Sequence, residues 1–147
     1  MKRPNLFEDH IKKEIVKRVK VNRERAKSLL LESERKMFSL KNRLEKLGIN
    51  NENANDYVEY CYDIVMHLVR AKMYLNGYHA SGQGAHEAEV SYLRILGFDE
   101  GDVQFTDQMR FFRNGIMYYG TRLDEEYAKK VVEFTRKIYP KFKEMIK

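Results

Sequence analysis

A chain of 147 residues fits one compact domain. Its hydrophobic fraction of 43% is enough for a core, which excludes wholesale disorder, and its 34% of charged residues, with abundant Lys, Glu, Leu and Met, favours helices over strands. The single cysteine, Cys61, excludes an internal disulfide and a structural zinc site built on several thiolates. Met1-Lys2-Arg3-Pro4 has no apolar run behind it, and no stretch approaches the roughly 20 apolar residues of a membrane span, so the expectation is a cytoplasmic protein.

The net charge of +6 is unevenly spread. Residues 1–28 hold ten Lys or Arg and four Asp or Glu, whereas residues 29–147 hold eighteen of each, so the whole excess sits in the first segment. It comprises Lys2, Arg3, Lys12, Lys13, Lys17, Arg18, Lys20, Arg23, Arg25 and Lys27. Such a segment reads either as a solvated helix face or as an arm that tracks phosphates by counterion release. Under the second reading Lys12, Lys13, Lys17, Arg18 and Lys20 are candidate nucleic-acid contacts.

Pro4 suits a helix start, because its missing N–H falls where no intrahelical partner exists. Ile11, Ile15 and Val19 recur every four residues, and from Ala26 the seam continues through Leu30, Ser33, Met37, Leu40, Leu44 and Leu47 to Gly48. The pattern predicts helix from about Phe7 to Leu47, long enough to suggest a bend near Val21–Arg23. The resulting division is a basic helical extension over residues 1–25 and a core bundle over 26–146, within one domain. Asn50, Asn51 and Asn53 form a polar turn, and Asn53 or Asn55 is placed to cap a second helix running to about Leu75. Asn76-Gly77 stops it with a left-handed residue. Ser81-Gly82-Gln83-Gly84 is a loop, and a third helix runs from about Ala85 to Leu96. Thr106 or Asp107 is the expected cap of a fourth helix, which ends at Gly120-Thr121. Asp124-Glu125-Glu126 places acids at the start of a fifth, and Pro140 is expected to kink or split its end. No alternating segment is long enough for a convincing strand. The fold class is therefore all-α, an antiparallel bundle of about five helices.

Arg113 is the first candidate for chemistry. It lies among Phe111, Phe112, Ile116 and Met117, close to an apolar face, where a guanidinium requires a carboxylate, a phosphate or an interface partner. It reads as a structural ion pair or as a phosphate clamp, since its planar fork suits phosphate oxygens; Arg110 lies one turn before it. His86 opens the third helix and serves to cap, to pack or to accept a proton. His79 reads as a surface group, His67 as a hydrogen-bonded core or interface residue, and His10 lies near the basic segment. No pair of histidines has metal-ligand spacing, so no metal or cofactor is expected. Cys61 lies in an apolar helix and reads as a buried, inert thiol. Tyr57, Tyr60, Tyr62, Tyr74, Tyr78, Tyr92, Tyr118 and Tyr119 have the rings to stack bases, although amphipathic packing accounts for most of them. Gly82-Gln83-Gly84 lacks the spacing and the Lys of a phosphate-cradling loop.

Two stretches together resemble the HEPN domain (higher eukaryotes and prokaryotes nucleotide-binding). One is Arg113-Asn114-Gly115-Ile116-Met117-Tyr118. The other is Tyr74-Leu75-Asn76-Gly77-Tyr78-His79, followed by a glycine-containing turn and Ala85-His86-Glu87. The family's mark is an Arg, often followed by Asn, with a His five positions after the Arg; here Tyr118 stands in the His place. The resemblance, over roughly residues 26–146, implies a helical bundle that forms a homodimer, with the Arg-bearing helices of two subunits facing one shared cleft. It implies RNA or a nucleotide phosphate as ligand. It further implies metal-independent ribonuclease activity of toxin–antitoxin type, with a small nucleotidyltransferase as partner, or else a non-catalytic interaction module with that same partner. Carried over, Arg113 stabilises developing charge, Asn114 orients neighbouring groups and Tyr118 takes the proton-transfer position. A free phenol has a pKa of about 10, so only about one in a thousand is ionised at neutral pH. A phenol still donates a hydrogen bond to a phosphate oxygen, which suits this motif to binding a phosphate better than to cutting a chain.

Overall fold

The computed structural model describes residues 3–146; Met1, Lys147 and Lys2, the last counted in the basic segment, lie outside them. Among the described residues the chain forms six helices and one small antiparallel hairpin. The elements are α1 (Phe7–Lys12), β1 (Val16–Arg18), α2 (Arg23–Leu47), α3 (Ala54–Leu75), β2 (Tyr78–Ala80), α4 (Ala85–Ile95), α5 (Glu100–Tyr119) and α6 (Glu125–Met145). The protein is thus a mostly helical bundle.

The centre of the bundle is α3. Apolar side chains occupy nearly every face of it, from Tyr57, Val58 and Cys61 through Ile64, Val65 and Leu68 to Val69 and Met73, and all of these are buried. A helix that is apolar all round has to be enclosed, and α2, α4, α5 and α6 each pack against it. On α2 the seam is narrow, as its spacing predicts. Ala26, Ser33 and Leu40 are buried, Leu30, Met37 and Leu44 pack beside them, and Leu47 at the end of the seam is exposed. Burial pushes the Cys61 thiol up to about 12, which makes it the inert thiol its setting suggests.

The first segment departs from the expected long helix. Its helix ends at Lys12, Glu14 adopts a positive φ of 61°, and Val16–Arg18 forms a strand opposite Tyr78–Ala80 in the register Val16↔Ala80, Lys17↔His79, Arg18↔Tyr78. Helix resumes only at Arg23, behind Asn22, whose side chain accepts from the Arg25 N–H at 2.9 Å. The four-residue recurrence of Ile11, Ile15 and Val19 thus does not mark one helix face, and Ile11 and Val19 are exposed. What the segment buries instead is Phe7, His10 and Val16. Gly77 makes the hairpin possible. Its φ is +80°, and a Cβ there would lie 2.9 Å from the Val19 carbonyl oxygen, whose own N–H donates to the Gly77 carbonyl at 2.9 Å.

Three helix ends also differ from expectation. The start of α5 is Glu100, capped by the Asp99 carboxylate accepting from the Asp102 N–H at 2.8 Å, so Thr106 and Asp107 are interior, buried residues of the helix. Gly97, at φ +93°, had already turned the chain, and the acids at 99, 100 and 102 suit a helix N-terminus. Neither Asn53 nor Asn55 caps α3 through its side chain. Asn53 Oδ1 accepts from the Asn50 N–H at 2.9 Å, and Asn55 bridges to the carbonyl of Thr121 and the N–H of Leu123, tying the α5–α6 turn to α3. Pro140 leaves α6 unbroken from Glu125 to Met145, because it lies on the solvent face, where the Arg136 carbonyl that loses its partner is open to water.

His10 has a measurable consequence. It is 2% exposed, and Nε2 lies 3.4 Å from a Glu87 oxygen. Burial lowers its pKa, against the pull of Glu87, so the fold favours the neutral ring while the unfolded chain protonates near the ordinary value of about 6.5. Stability is therefore full above that value and is lost as pH falls below it. Urea unfolding between about pH 7.5 and about pH 5 is expected to show a decline that is shallower in a His10→Gln variant.

Candidate functional site

Three helices bring a charged cluster together on one face. From α3 come Tyr62, Asp63 and Arg70, from α4 His86, Glu87 and Glu89, and from α5 Asp107, Arg110 and Arg113. Each of these helices uses its apolar stripe for the core and presents the flank of that stripe here, so the guanidinium groups reach the cluster on stems that lie along buried surface.

Arg70 and Glu89 form its rigid part. Arg70 Nε donates to Glu89 Oε2 at 2.7 Å and Nη2 to Oε1 at 3.1 Å, a bidentate pair in which the Glu89 side chain is only 7% exposed and that of Arg70 29%. Arg110 is held by Asp107, Nε to Oδ1 at 2.7 Å, with Glu87 at 3.9 Å from its Nη2. His86 lies 3.4 Å from Arg70 Nη2 and 3.5 Å from Glu89 Oε1, and half of its side chain is exposed. Its pKa is lowered first by partial burial; Glu89 opposes this, and Arg70, Arg113 and Arg110 add to it. The ring is accordingly neutral at physiological pH and able to accept a proton.

Arg113 differs from the other two arginines. Its nearest carboxylate, Asp63 Oδ1, is 3.8 Å from Nη2, beyond hydrogen-bond distance, and its Nε is buried with no acceptor. Its guanidinium lies over the Tyr62 ring, 5.4 Å from the centroid. The Tyr62 side chain is 2% exposed, and its hydroxyl is likewise buried without a partner. Burial pushes the Tyr62 phenol far above its ordinary range; Glu89 adds to this, and Arg70, Arg110 and Arg113 pull the other way. Two donors, the Tyr62 O–H and the Arg113 Nε–H, are therefore unsatisfied, and the charges of Arg70, Arg110 and Arg113 all act on the Tyr62 phenol. An unpartnered buried donor costs about 1–3 kcal/mol, so each of these two is a group that an acceptor would stabilise.

The other residues singled out in the sequence scatter. Tyr118 is 73% exposed in the last turn of α5, and Phe111, Met117 and Tyr119 on the same helix are exposed as well. Within one chain, then, Arg113 and Tyr118 do not share a face, because five residues carry a helix about 140° round its axis, and the Arg113 charge is felt instead at His86. Asn114 is half-buried beside Arg113. The neighbouring Gly115 permits the helix to end as it does. A Cβ there would lie 2.9 Å from Thr121 Oγ1, and the Thr121 N–H donates to the Gly115 carbonyl at 3.2 Å. Lys12 and Lys13 lie near Asn5 and Asp9 at the end of α1, and Lys17 is exposed on β1. Arg18 packs over Tyr78 at 4.9 Å and donates to its hydroxyl at 3.1 Å. Lys20 borders a groove with Asn22 and Arg25. His67 bonds the Asp63 carbonyl within α3.

Sequence reasoning missed Tyr62, Arg70 and Glu89. Arg70 carried a signal, since it stands in the apolar run Met66-His67-Leu68-Val69-Arg70-Ala71 and has the same need for a partner as Arg113. Glu89, three residues after His86, shares its helix face. Nothing in the spacing marks Tyr62 apart from the other buried tyrosines. Among the described residues no group of three or more His, Cys, Asp or Glu is arranged to hold a metal ion, and no helix is long and apolar enough to cross a membrane. Comparison with known proteins found no matching family model, no matching curated protein and no matching solved structure.

Proposed function

We propose that this chain is a HEPN-like protein that binds a phosphate of RNA or of a nucleotide at Arg113, with the hydroxyl of Tyr62 as a second donor and His86 as the adjacent base. The observation that carries this reading is that Arg113 Nε and the hydroxyl of Tyr62, over whose ring the Arg113 guanidinium lies, are both buried without a partner. A phosphate oxygen would satisfy such a donor, and Arg113, whose nearest carboxylate lies beyond hydrogen-bond distance, keeps charge-assisted donors to offer it.

The same arrangement supports a ribonuclease reaction in which His86, and not Tyr118, is the proton acceptor. His86 takes the proton of a 2′-hydroxyl as its oxygen forms a bond to the adjacent phosphorus. The bond from phosphorus to the 5′-oxygen breaks, and the leaving oxygen is protonated by His86 in its charged form or by solvent. Arg113 stabilises the charge that develops on the non-bridging oxygens. The exposed apolar side chains of Phe111, Met117, Tyr118 and Tyr119 at the end of α5 support a homodimer built on that helix. They equally favour a second reading, in which the end of α5 docks another protein, such as a nucleotidyltransferase, and no RNA is cut.

Tyr62→Phe tests the phosphate reading directly. Removing a buried hydroxyl that has no partner is expected to leave the free protein as stable as before, or more stable by about 1 kcal/mol, while weakening binding of phosphate-containing ligands several-fold. Urea unfolding checks the first half, and titration of an oligoribonucleotide checks the second. Unchanged affinity in Tyr62→Phe would remove the anion from this position. Incubating the protein with mixed RNA in the presence of a chelator separates the two readings: cyclic phosphate ends support the enzyme, and intact RNA supports the docking module.

A further inference from the structure

A cleft of about 290 Å³ opens on the other side of Arg70 and His86, between the first turns of α2, the end of α3, β2 and the start of α4. It continues into a groove lined by Lys20 and Asn22, and Arg25, Tyr74 and His79 border both spaces. Its chemistry is specific. The one carboxylate in the lining, Glu89, is held in the pair with Arg70. Lys20 and Arg25 have no carboxylate within ion-pair distance among the described residues, so their charge faces the groove unbalanced. Beside them the rings of Tyr74 and His79 stack with centroids 5.7 Å apart and planes 24° from parallel, tied by a 3.0 Å hydrogen bond between Tyr74 Oη and His79 Nδ1. Arg25 lies over the Tyr74 ring at 5.1 Å. His79 is exposed, so this fixed two-ring platform has an outer face open to a further flat group.

Unpaired cations along a groove, next to a rigid aromatic platform, are the two elements of single-stranded nucleic-acid binding. The cations follow the backbone, and the rings stack bases of any sequence. We infer that the cleft and groove hold a segment of single-stranded RNA, with phosphates on Lys20 and Arg25 and a base on His79. The inference rests on the phosphate reading of Arg113, because Arg70 and His86 line the cleft and belong to the same charged cluster as Arg113, so a strand lying in the groove would lead toward that site. A volume of this size admits about one nucleotide at a time and has no room for a duplex. The basic first segment acquires a role here. Pairing of β1 with β2 brings the chain after β1, with Lys20 and Arg25, alongside His79.

The test uses fluorescence anisotropy with a labelled 2′-O-methyl oligouridylate, which cannot be cleaved through its 2′ position. The double variant Arg25→Glu/His79→Ala is expected to weaken binding about tenfold or more, whereas Lys130→Glu, an equal charge change on the exposed side of α6, leaves it within about twofold. Should the double variant lose its helical circular dichroism, Lys20→Glu, in the loop before α2, replaces it with the same expectation. Affinity within about twofold of wild type in the cleft variant overturns the inference. If Arg113→Ala weakens binding in that same experiment, the phosphate reading stands without the cleft, and if wild-type protein does not bind the oligonucleotide, the inference falls together with RNA as the ligand at Arg113. A duplex of the same sequence that competes as well as the single strand also overturns it.

Discussion

Replacing Glu89 by alanine is expected to lower the unfolding free energy by about 3 kcal/mol, the largest stability effect of any single change in the charged cluster. Glu89 is the buried member of the Arg70 pair and accepts two hydrogen bonds from it. Removing it leaves Arg70 without a counter-charge and in the company of Arg110 and Arg113. Breaking a buried pair typically costs about 3–5 kcal/mol, and the partial exposure of Arg70 places this case at the low end. For a domain of this size the corresponding drop in melting temperature is about 6–12 °C. Glu89→Gln keeps the shape and one acceptor oxygen, so it is expected to fall between alanine and wild type. If three guanidinium groups hold an anion here, inorganic phosphate recovers part of the loss in Glu89→Ala and much less of it in Glu89→Ala/Arg113→Ala. Thermal unfolding with and without phosphate reads all of this, and a Glu89→Ala protein as stable as wild type would mean that the pair is a surface contact.

Arg113→Ala is expected to do the opposite, with little effect on stability and a large one on ligand. Among the described residues its only ion pair is the loose 3.8 Å approach to Asp63, and its Nε makes no bond, so the fold loses at most about 1 kcal/mol. Affinity for an oligoribonucleotide is expected to fall about 10–100-fold, the worth of about 1.5–3 kcal/mol of charge-assisted hydrogen bonding. Any metal-independent cleavage is expected to disappear with it. Arg113→Lys restores a charge but not the fork, so it recovers little. A structural arginine predicts the reverse, with lost stability and unaltered binding, and the pair of measurements on one variant separates the two.

The two predictions also assign different work to neighbouring arginines. The charge of Arg70 is matched within the chain, so its function is to hold α3 to α4 and to set His86 beside a fixed positive group. Arg113 is placed by packing over Tyr62 and left with donor capacity unused. That difference, and not the motif by itself, makes Arg113 the residue to test first.

How far the sequence reached follows from which forces act locally. Apolar periodicity placed α3, α4 and α6 closely, since a helix that buries a stripe must repeat at helical spacing whatever its neighbours are. Asn76-Gly77 and Gly120 marked their helix ends because a left-handed residue is a local requirement. The stretch from Ile11 to Val19 misled because recurrence every four residues is equally compatible with a short helix followed by a strand. Pairing with Tyr78–Ala80, about sixty residues away, decided between them. The early start of α5 at Glu100 was hidden by Gly101, and Asp99 supplied a cap that outweighed it.

By itself, then, the sequence determined a helical domain with a basic first segment, an inert Cys61 and an arginine at position 113 in need of a partner. Only the tertiary structure decided what that partner is near. Side chains from 62, 70, 86, 89 and 113 belong to three helices, and their meeting depends on how those helices cross, which no local pattern encodes. The same packing turned Tyr118 outward, set His86 against the Arg70–Glu89 pair, and set the charge of the first segment beside His79. Helix formation is settled within a few residues along the chain, whereas a site of this kind is settled by contacts between residues far apart in it.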